Sequence, residues 1–183
     1  MPRLLLFNKP YGVLTQFSGD GSKPTLADYI DLPNFYAAGR LDANSEGLLV
    51  LTDNGKLQSR ISDPKHKLAK TYWVQVEGMP SEDALKQLSE GVRLKDGMTR
   101  PARVDVIPEP NVWPRNPPIR FRANISTQWL CIRIREGKNR QVRRMTAHVG
   151  HPTLRLIRCQ IGPWSLGTLQ PGESQLIDIN GLP

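Results

Sequence analysis

Gly39-Arg40-Leu41-Asp42-Ala43-Asn44-Ser45-Glu46-Gly47-Leu48-Leu49-Val50-Leu51-Thr52 joins a short polar loop to an apolar run. Leu48 to Thr52 reads as a buried strand, and Asp42 stands at its entrance beside Arg40. A carboxylate held on rigid structure next to a cation is well placed for nucleophilic or base chemistry. The plain alternative is a solvated Arg-x-Asp surface pair, which contributes little to stability. The loop alone does not choose between these two readings.

Outward from this stretch, strand signals recur at Leu4–Asn8, Thr71–Glu77, Arg103–Ile107, Trp129–Arg135, Leu154–Ile157 and Gln175–Ile179. Between Trp129 and Arg135 the alternation is clean. Leu130, Ile132 and Ile134 point one way, and Cys131, Arg133 and Arg135 the other. Helix signals are fewer. Thr25 caps a short helix carrying Leu26, Tyr29 and Ile30. Asp53-Asn54-Gly55 turns into a helix through Leu57 and Ile61 that stops before Pro64. Ser81 caps a helix that Gly91 ends. Asn139 caps a helix from Arg140 to Val149, with Val142, Met145 and Val149 on its apolar stripe. Many strands with interspersed helices predict an α+β domain with a mixed, mainly antiparallel sheet. Residues 108–118 hold five prolines around Trp113 and form an insertion or rigid arm.

The chain has 183 residues, enough for one domain or two small subdomains sharing a core. The expected division lies near 1–66 and 67–183. No apolar run approaches the roughly 20 residues of a membrane helix, and Leu4-Leu5-Leu6-Phe7 is too short for a signal peptide. Cys131 and Cys159 lie in apolar-alternating segments and read as reduced core thiols of a cytoplasmic protein. The net charge is +8. Eight basic residues and Glu136 between Arg133 and Arg158 account for +7 of it. Positive charge clustered in one segment is the footprint of a polyanionic partner, nucleic acid first of all.

The segment Arg135-Glu136-Gly137-Lys138-Asn139-Arg140-Gln141-Val142-Arg143-Arg144-Met145 leads from a strand through a glycine turn into a helix. Amides at a helix start together with Lys138 and Arg140 form a natural phosphate site. A basic turn that only aids solubility is the alternative. Lys70-Thr71-Tyr72-Trp73-Val74 sets two aromatics on opposite faces of a strand. One enters the core and the other is available to stack on a base, although two core aromatics are the commoner outcome. His66, His148 and His151 lack zinc spacing and have no CxxC beside them. A Walker loop, a GxGxxG fingerprint and a serine nucleophile elbow are all missing.

Three segments together resemble the successive motifs of the pseudouridine synthases: Arg40-Leu41-Asp42, Lys70-x-Tyr72-x-Val74 and Glu136 to Met145. The last of these, with Asp42-x-x-Ser45-Glu46-Gly47-Leu48-Leu49, is similar to the branch acting on bacterial ribosomal RNA. The resemblance implies isomerisation of a uridine in 23S ribosomal RNA without metal or organic cofactor. It implies two subdomains with the active site in the cleft between them. Asp42 matches the essential aspartate, Tyr72 the tyrosine packing against the target base, and Arg143 the basic residue paired with the aspartate. Arg40 supports the site, and Lys138, Asn139, Arg140, Gln141 and Arg144 fall in the RNA-contacting motif. The first strand begins at Leu4 and leaves no room for the small N-terminal RNA-binding domain of many relatives, so the catalytic domain is expected to select its own site. A monomer acting on naked RNA or a precursor particle, with no membrane and no obligatory protein partner, is the expected form. A non-catalytic RNA-binding or ribosome-assembly module is the alternative; a retaining-type glycosidase would need a second carboxylate, and only Glu46 is near.

Overall fold

The computed structural model describes residues 2–66 and 68–180. In chain order the strands are β1 (Arg3–Lys9), β2 (Tyr36–Ala37), β3 (Glu46–Thr52), β4 (Lys70–Glu77), β5 (Arg93–Leu94), β6 (Gly97–Met98), β7 (Arg103–Ile107), β8 (Thr127–Ile134), β9 (Thr153–Ile161), β10 (Trp164–Ser165) and β11 (Ser174–Asp178). The α-helices are α1 (Gly55–Ser62), α2 (Glu82–Glu90) and α3 (Gln141–His148). The fold is α+β with a mostly antiparallel mixed sheet, as the pattern of strands and helices predicts.

The chain divides into two compact units, Met1–Leu68 with Arg158–Pro183, and Ala69–Ile157. The first break falls beside the expected one at 66–67, where Lys67 lies outside the described residues. The C-terminal part differs from expectation. From Arg158 the chain rejoins the first unit instead of staying with the second. The reason is strand pairing: β11 lies antiparallel on β1, with Leu5 opposite Leu176 and Leu4 opposite Ile177.

In the first unit β1 lies between β11 and β3. Leu5 faces Leu51 and Phe7 faces Leu49 across the antiparallel β1–β3 pair. Every residue of β3 is buried, which is why its sequence runs apolar instead of alternating. Leu5, Phe7, Leu49 and Leu51 pack with Val13, Leu26, Ile30 and Phe35 as one core. The short helix after Thr25 is a single 3-10 turn, Leu26–Asp28, closed by a capping box between Thr25 and Asp28. α1 starts at Asn54, whose side chain accepts from the Leu57 amide, and buries Leu57 and Ile61.

In the second unit β4 pairs with β8 and β8 with β7, both antiparallel. Tyr72 opposes Ile132 and Val74 opposes Leu130. These residues join Leu88 of α2 and Val142 and Met145 of α3 in a second core. Ser81 caps α2 and Gly91 ends it at φ 107°, as the sequence predicts. Cys131 is half-buried, Cys159 is buried, and neither is in a disulfide. β9 is longer than the expected Leu154–Ile157, running to Ile161 through Arg155 and Arg158.

Candidate active site

In the first unit, Gly39 to Ser45 has no regular structure, yet four successive backbone carbonyls of this loop accept hydrogen bonds. The Arg158 guanidinium donates from Nη1 to the Arg40 carbonyl at 3.3 Å. Thr15 Oγ1 donates to the Leu41 carbonyl at 2.6 Å. The Ser45 amide donates to the Asp42 carbonyl at 3.0 Å, and the Gly12 amide to Ala43 at 2.7 Å. A loop so bonded holds its Cα positions, and the half-buried Asp42 side chain issues from the middle of it. Arg40 is exposed at the rim. Gly47, at φ 108°, approaches the Arg158 backbone so closely that no side chain fits between them.

Two buried cations stand behind this loop. Lys9 is fully buried, and its Nζ donates to the carbonyls of Pro10 and Val13 at 2.8 Å and of Ala43 at 3.4 Å. Arg158, 4% exposed, donates from Nε to Leu48 at 2.9 Å. Glu46, also buried, belongs to the same charge cluster. Burial lowers the Lys9 ammonium from 10.5 to about 7; Glu46 and Asp42 pull it upward, and Arg158 pushes it further down. An ammonium has three donors for those three carbonyls, whereas the neutral amine has two.

The pH consequence has a definite sign. Between pH 7 and 10.5 the unfolded chain holds a proton on Lys9 that the folded chain has released. Stability therefore rises with pH across that window, with a slope from Lys9 of at most about 1.4 kcal/mol per pH unit. Cys131 acts oppositely, because burial, aided by Asp105, raises its thiol and keeps its proton on the folded chain. The Cys131 contribution cancels when wild type is compared with Lys9→Met. Denaturant unfolding at about pH 7.5 and about pH 9.5 should show wild type gaining stability relative to the variant as pH rises. A difference independent of pH would contradict the assignment.

The second unit carries the remaining predicted residues. Tyr72 is the core-facing aromatic, 8% exposed, and Trp73 is the half-buried one. Arg143 is half-buried on α3, while Asn139 and Arg140 are exposed on the turn before it and Lys138 is half-buried there. The helix starts at Gln141, and its N-cap is Arg140 in a left-handed conformation at φ 50°, not Asn139 as expected. The Arg140 side chain does not cap the helix amides. Gln141 organises this turn from inside. At 3% exposure, it accepts from the Lys138 amide at 3.1 Å and donates to Glu136 Oε2 at 2.9 Å and to Met145 Sδ at 3.5 Å. The expected RNA contact by Gln141 is thereby corrected: its amide is buried and used to fold the turn. Arg144 is likewise engaged, donating twice to Asp96 at 2.7 and 3.1 Å and from Nε to the Asn139 carbonyl. The Arg144 guanidinium in turn holds the Asp96 carboxyl below its usual range.

The basic segment is thus less of a surface than its sequence implies. Arg155 and Arg158 are buried and donate to backbone carbonyls, Arg155 to Trp113 at 2.8 Å. The exposed cations of the segment are Arg133, Arg135 and Arg140. Lys9, Thr15 and Arg158 were not among the expected site residues. The available signal was a lysine ending an apolar run at Asn8-Lys9-Pro10, which reads equally well as a strand end. Among the described residues, no group of three or more His, Cys, Asp or Glu side chains is arranged to hold a metal ion. No described helix is long and apolar enough to cross a membrane.

The pattern of the family described as RNA pseudouridylate synthase matches residues 3–148. The ribosomal large subunit pseudouridine synthase E of Vibrio parahaemolyticus serotype O3:K6 is 60% identical over 178 residues, covering 97% of this chain and 74% of that protein. The enzyme of the same name from Xanthomonas campestris pv. campestris is 57% identical over 178 residues, 96% of this chain and 95% of that protein. A solved structure described as a pseudouridylate synthase matches the fold with a TM-score of 0.79 at 28% identity, over 97% of this chain and 71% of that one.

Proposed function

This chain belongs to the RNA pseudouridylate synthase family, and we propose that it isomerises one uridine of large-subunit 23S ribosomal RNA to pseudouridine. The bond from N1 to the sugar carbon C1′ is broken, the base turns, and C5 bonds to C1′. The C5 hydrogen leaves as a proton and N1 gains one, so the product is an isomer and no co-reactant is consumed.

The observation that supports this reading best is the loop of residues 40–43. A carboxylate carried on a loop whose four successive carbonyls are bonded, with buried Lys9 and Arg158 behind it, stands on the rigid support that nucleophilic or base chemistry requires. Asp42 is the catalytic residue of the proposal, by attack on the substrate or by abstraction of a sugar proton. Tyr72 and Arg143 are its base-packing and cationic groups. A base stacked in a helix cannot turn, so the nucleotide must flip out at a cost of a few kcal/mol. Tyr72 is packed into the core of the second unit, so the base would meet only the edge it leaves exposed, and that contact returns at most about 1–3 kcal/mol. Lys138, Asn139 and Arg140 supply contacts to the RNA backbone, and the affinity falls steeply with salt.

The test is tritium release from large-subunit ribosomal RNA labelled at uridine C5 and lacking the modification, offered naked and as precursor particles. Release from either substrate is the expected result. Salt-sensitive RNA binding without release from both would overturn the isomerase in favour of a binding module.

A further inference from the structure

Residues 108–126 connect β7 to β8, two antiparallel neighbours that a hairpin turn would suffice to join. Hairpin loops run about 2–5 residues, and structureless loops beyond about 12–15 are usually functional. This loop is fastened down at several points. Arg115 donates to Pro117, Pro118 and Leu154 carbonyls at 2.8 to 3.2 Å. Buried Arg155 donates to the Trp113 carbonyl, and its guanidinium lies 5.9 Å from the centre of the Trp113 ring. Arg122 pairs with Glu77 at 3.1 Å, and the Gly78 amide donates to Ser126. Between these fastenings stands Phe121, 85% exposed, with exposed Arg120 and Arg122 on either side.

No other large apolar side chain among the described residues reaches that exposure; the next is Met79 at 59%. An aromatic ring left in water on an anchored support contributes nothing to folding. A depression next to Arg120 and Arg122 is lined by these two with Glu77, Ile125, Thr127 and Leu154, and its one carboxylate, Glu77, is paired with Arg122. A protein partner would require a contiguous apolar patch at its centre, whereas here the ring is flanked by cations. A flat aromatic surface beside the Arg120 guanidinium, with the Glu77-paired Arg122 on its other side, matches an unpaired nucleobase and a neighbouring phosphate.

We propose that Arg120-Phe121-Arg122 is a second RNA contact, in which Phe121 stacks on an unpaired base of the substrate outside the reacting uridine. This rests on the pseudouridine synthase reading above. The loop then acts as a site-selecting element built into the catalytic chain itself.

The test uses the full chain, with wild type, Phe121→Ala, Phe121→Leu and Phe121→Trp. Tritium release and filter binding of unmodified large-subunit ribosomal RNA are measured for each. The loss of one base stack predicts an increase of about tenfold in KM and in the dissociation constant for Phe121→Ala, with kcat within about twofold. Phe121→Trp should restore binding, and Phe121→Leu, which keeps the apolar surface without a flat ring, should not. Unchanged affinity in Phe121→Ala, or leucine serving as well as tryptophan, overturns the proposal. Should wild type release no tritium from either naked RNA or precursor particles, the isomerase reading fails, and the binding series still decides whether this contact exists.

Discussion

Asp42→Asn is expected to lose at least about 1,000-fold in the rate of tritium release, the scale set by removing a nucleophile or general base. RNA affinity should remain within a few-fold of wild type or tighten slightly, because one negative charge facing a polyanion is gone. The substitution keeps the shape of the side chain and leaves the loop's fastenings in place. Those fastenings run to the backbone carbonyls of Arg40, Leu41, Asp42 and Ala43, from Arg158, Thr15, Ser45 and Gly12. Folding is therefore expected to survive, and the lost rate reads on chemistry. One secondary effect follows from the cluster behind the loop. Asp42 is among the charges that hold Lys9 protonated, so the asparagine variant should deprotonate Lys9 at lower pH than wild type does. Near-normal turnover in Asp42→Asn would remove Asp42 from the mechanism, whatever the family membership implies.

Gly47→Ala is expected to destabilise the fold by more than about 4 kcal/mol, a loss that few single substitutions reach. Two costs combine. The backbone at φ 108° is a conformation that L side chains rarely adopt, at about 1–3 kcal/mol. The added Cβ would also overlap the Arg158 carbonyl oxygen and lie 2.8 Å from its nitrogen. Both obstacles are backbone, so relief would require moving β3 or β9. Gly47 pairs with Lys9 across the β1–β3 ladder, and Leu48 next to it receives the Arg158 guanidinium, so displacement would also disturb the buried cations. Chemical denaturation should show the loss directly. Gly55→Ala is the matched control, since a Cβ at that position in α1 meets nothing within 4 Å. It should match wild type or stabilise it by up to about 1 kcal/mol. A Gly47→Ala protein as stable as the control would refute the close approach of the two strands.

Local signals account for much of what could be read in advance. β1, β3, β4, β7 and β8 follow from runs of apolar or alternating residues, and each boundary lies within about two residues of the expected one. Asn54, Ser81 and Gly91 set helix ends because capping involves only neighbours in sequence. The expected Leu154–Ile157 stops short of β9 because Arg158 breaks the apolar pattern just after Ile157. Two-residue strands such as β2, β5, β6 and β10 carry too few residues for any periodicity to register.

The sequence by itself determined the α+β class, the family and the polar loop that presents Asp42, because those depend on short-range patterns and contiguous motifs. Tertiary structure alone decided which charged groups face inward. Lys9, Arg155 and Arg158 are buried, Gln141 closes its own turn, and Arg144 is held by Asp96. A buried cation is tolerable only where acceptors meet its donors. For Arg158 those acceptors are the Leu48 and Arg40 carbonyls, more than a hundred residues away in the chain. No local pattern carries that information, since it exists only once the strands are paired.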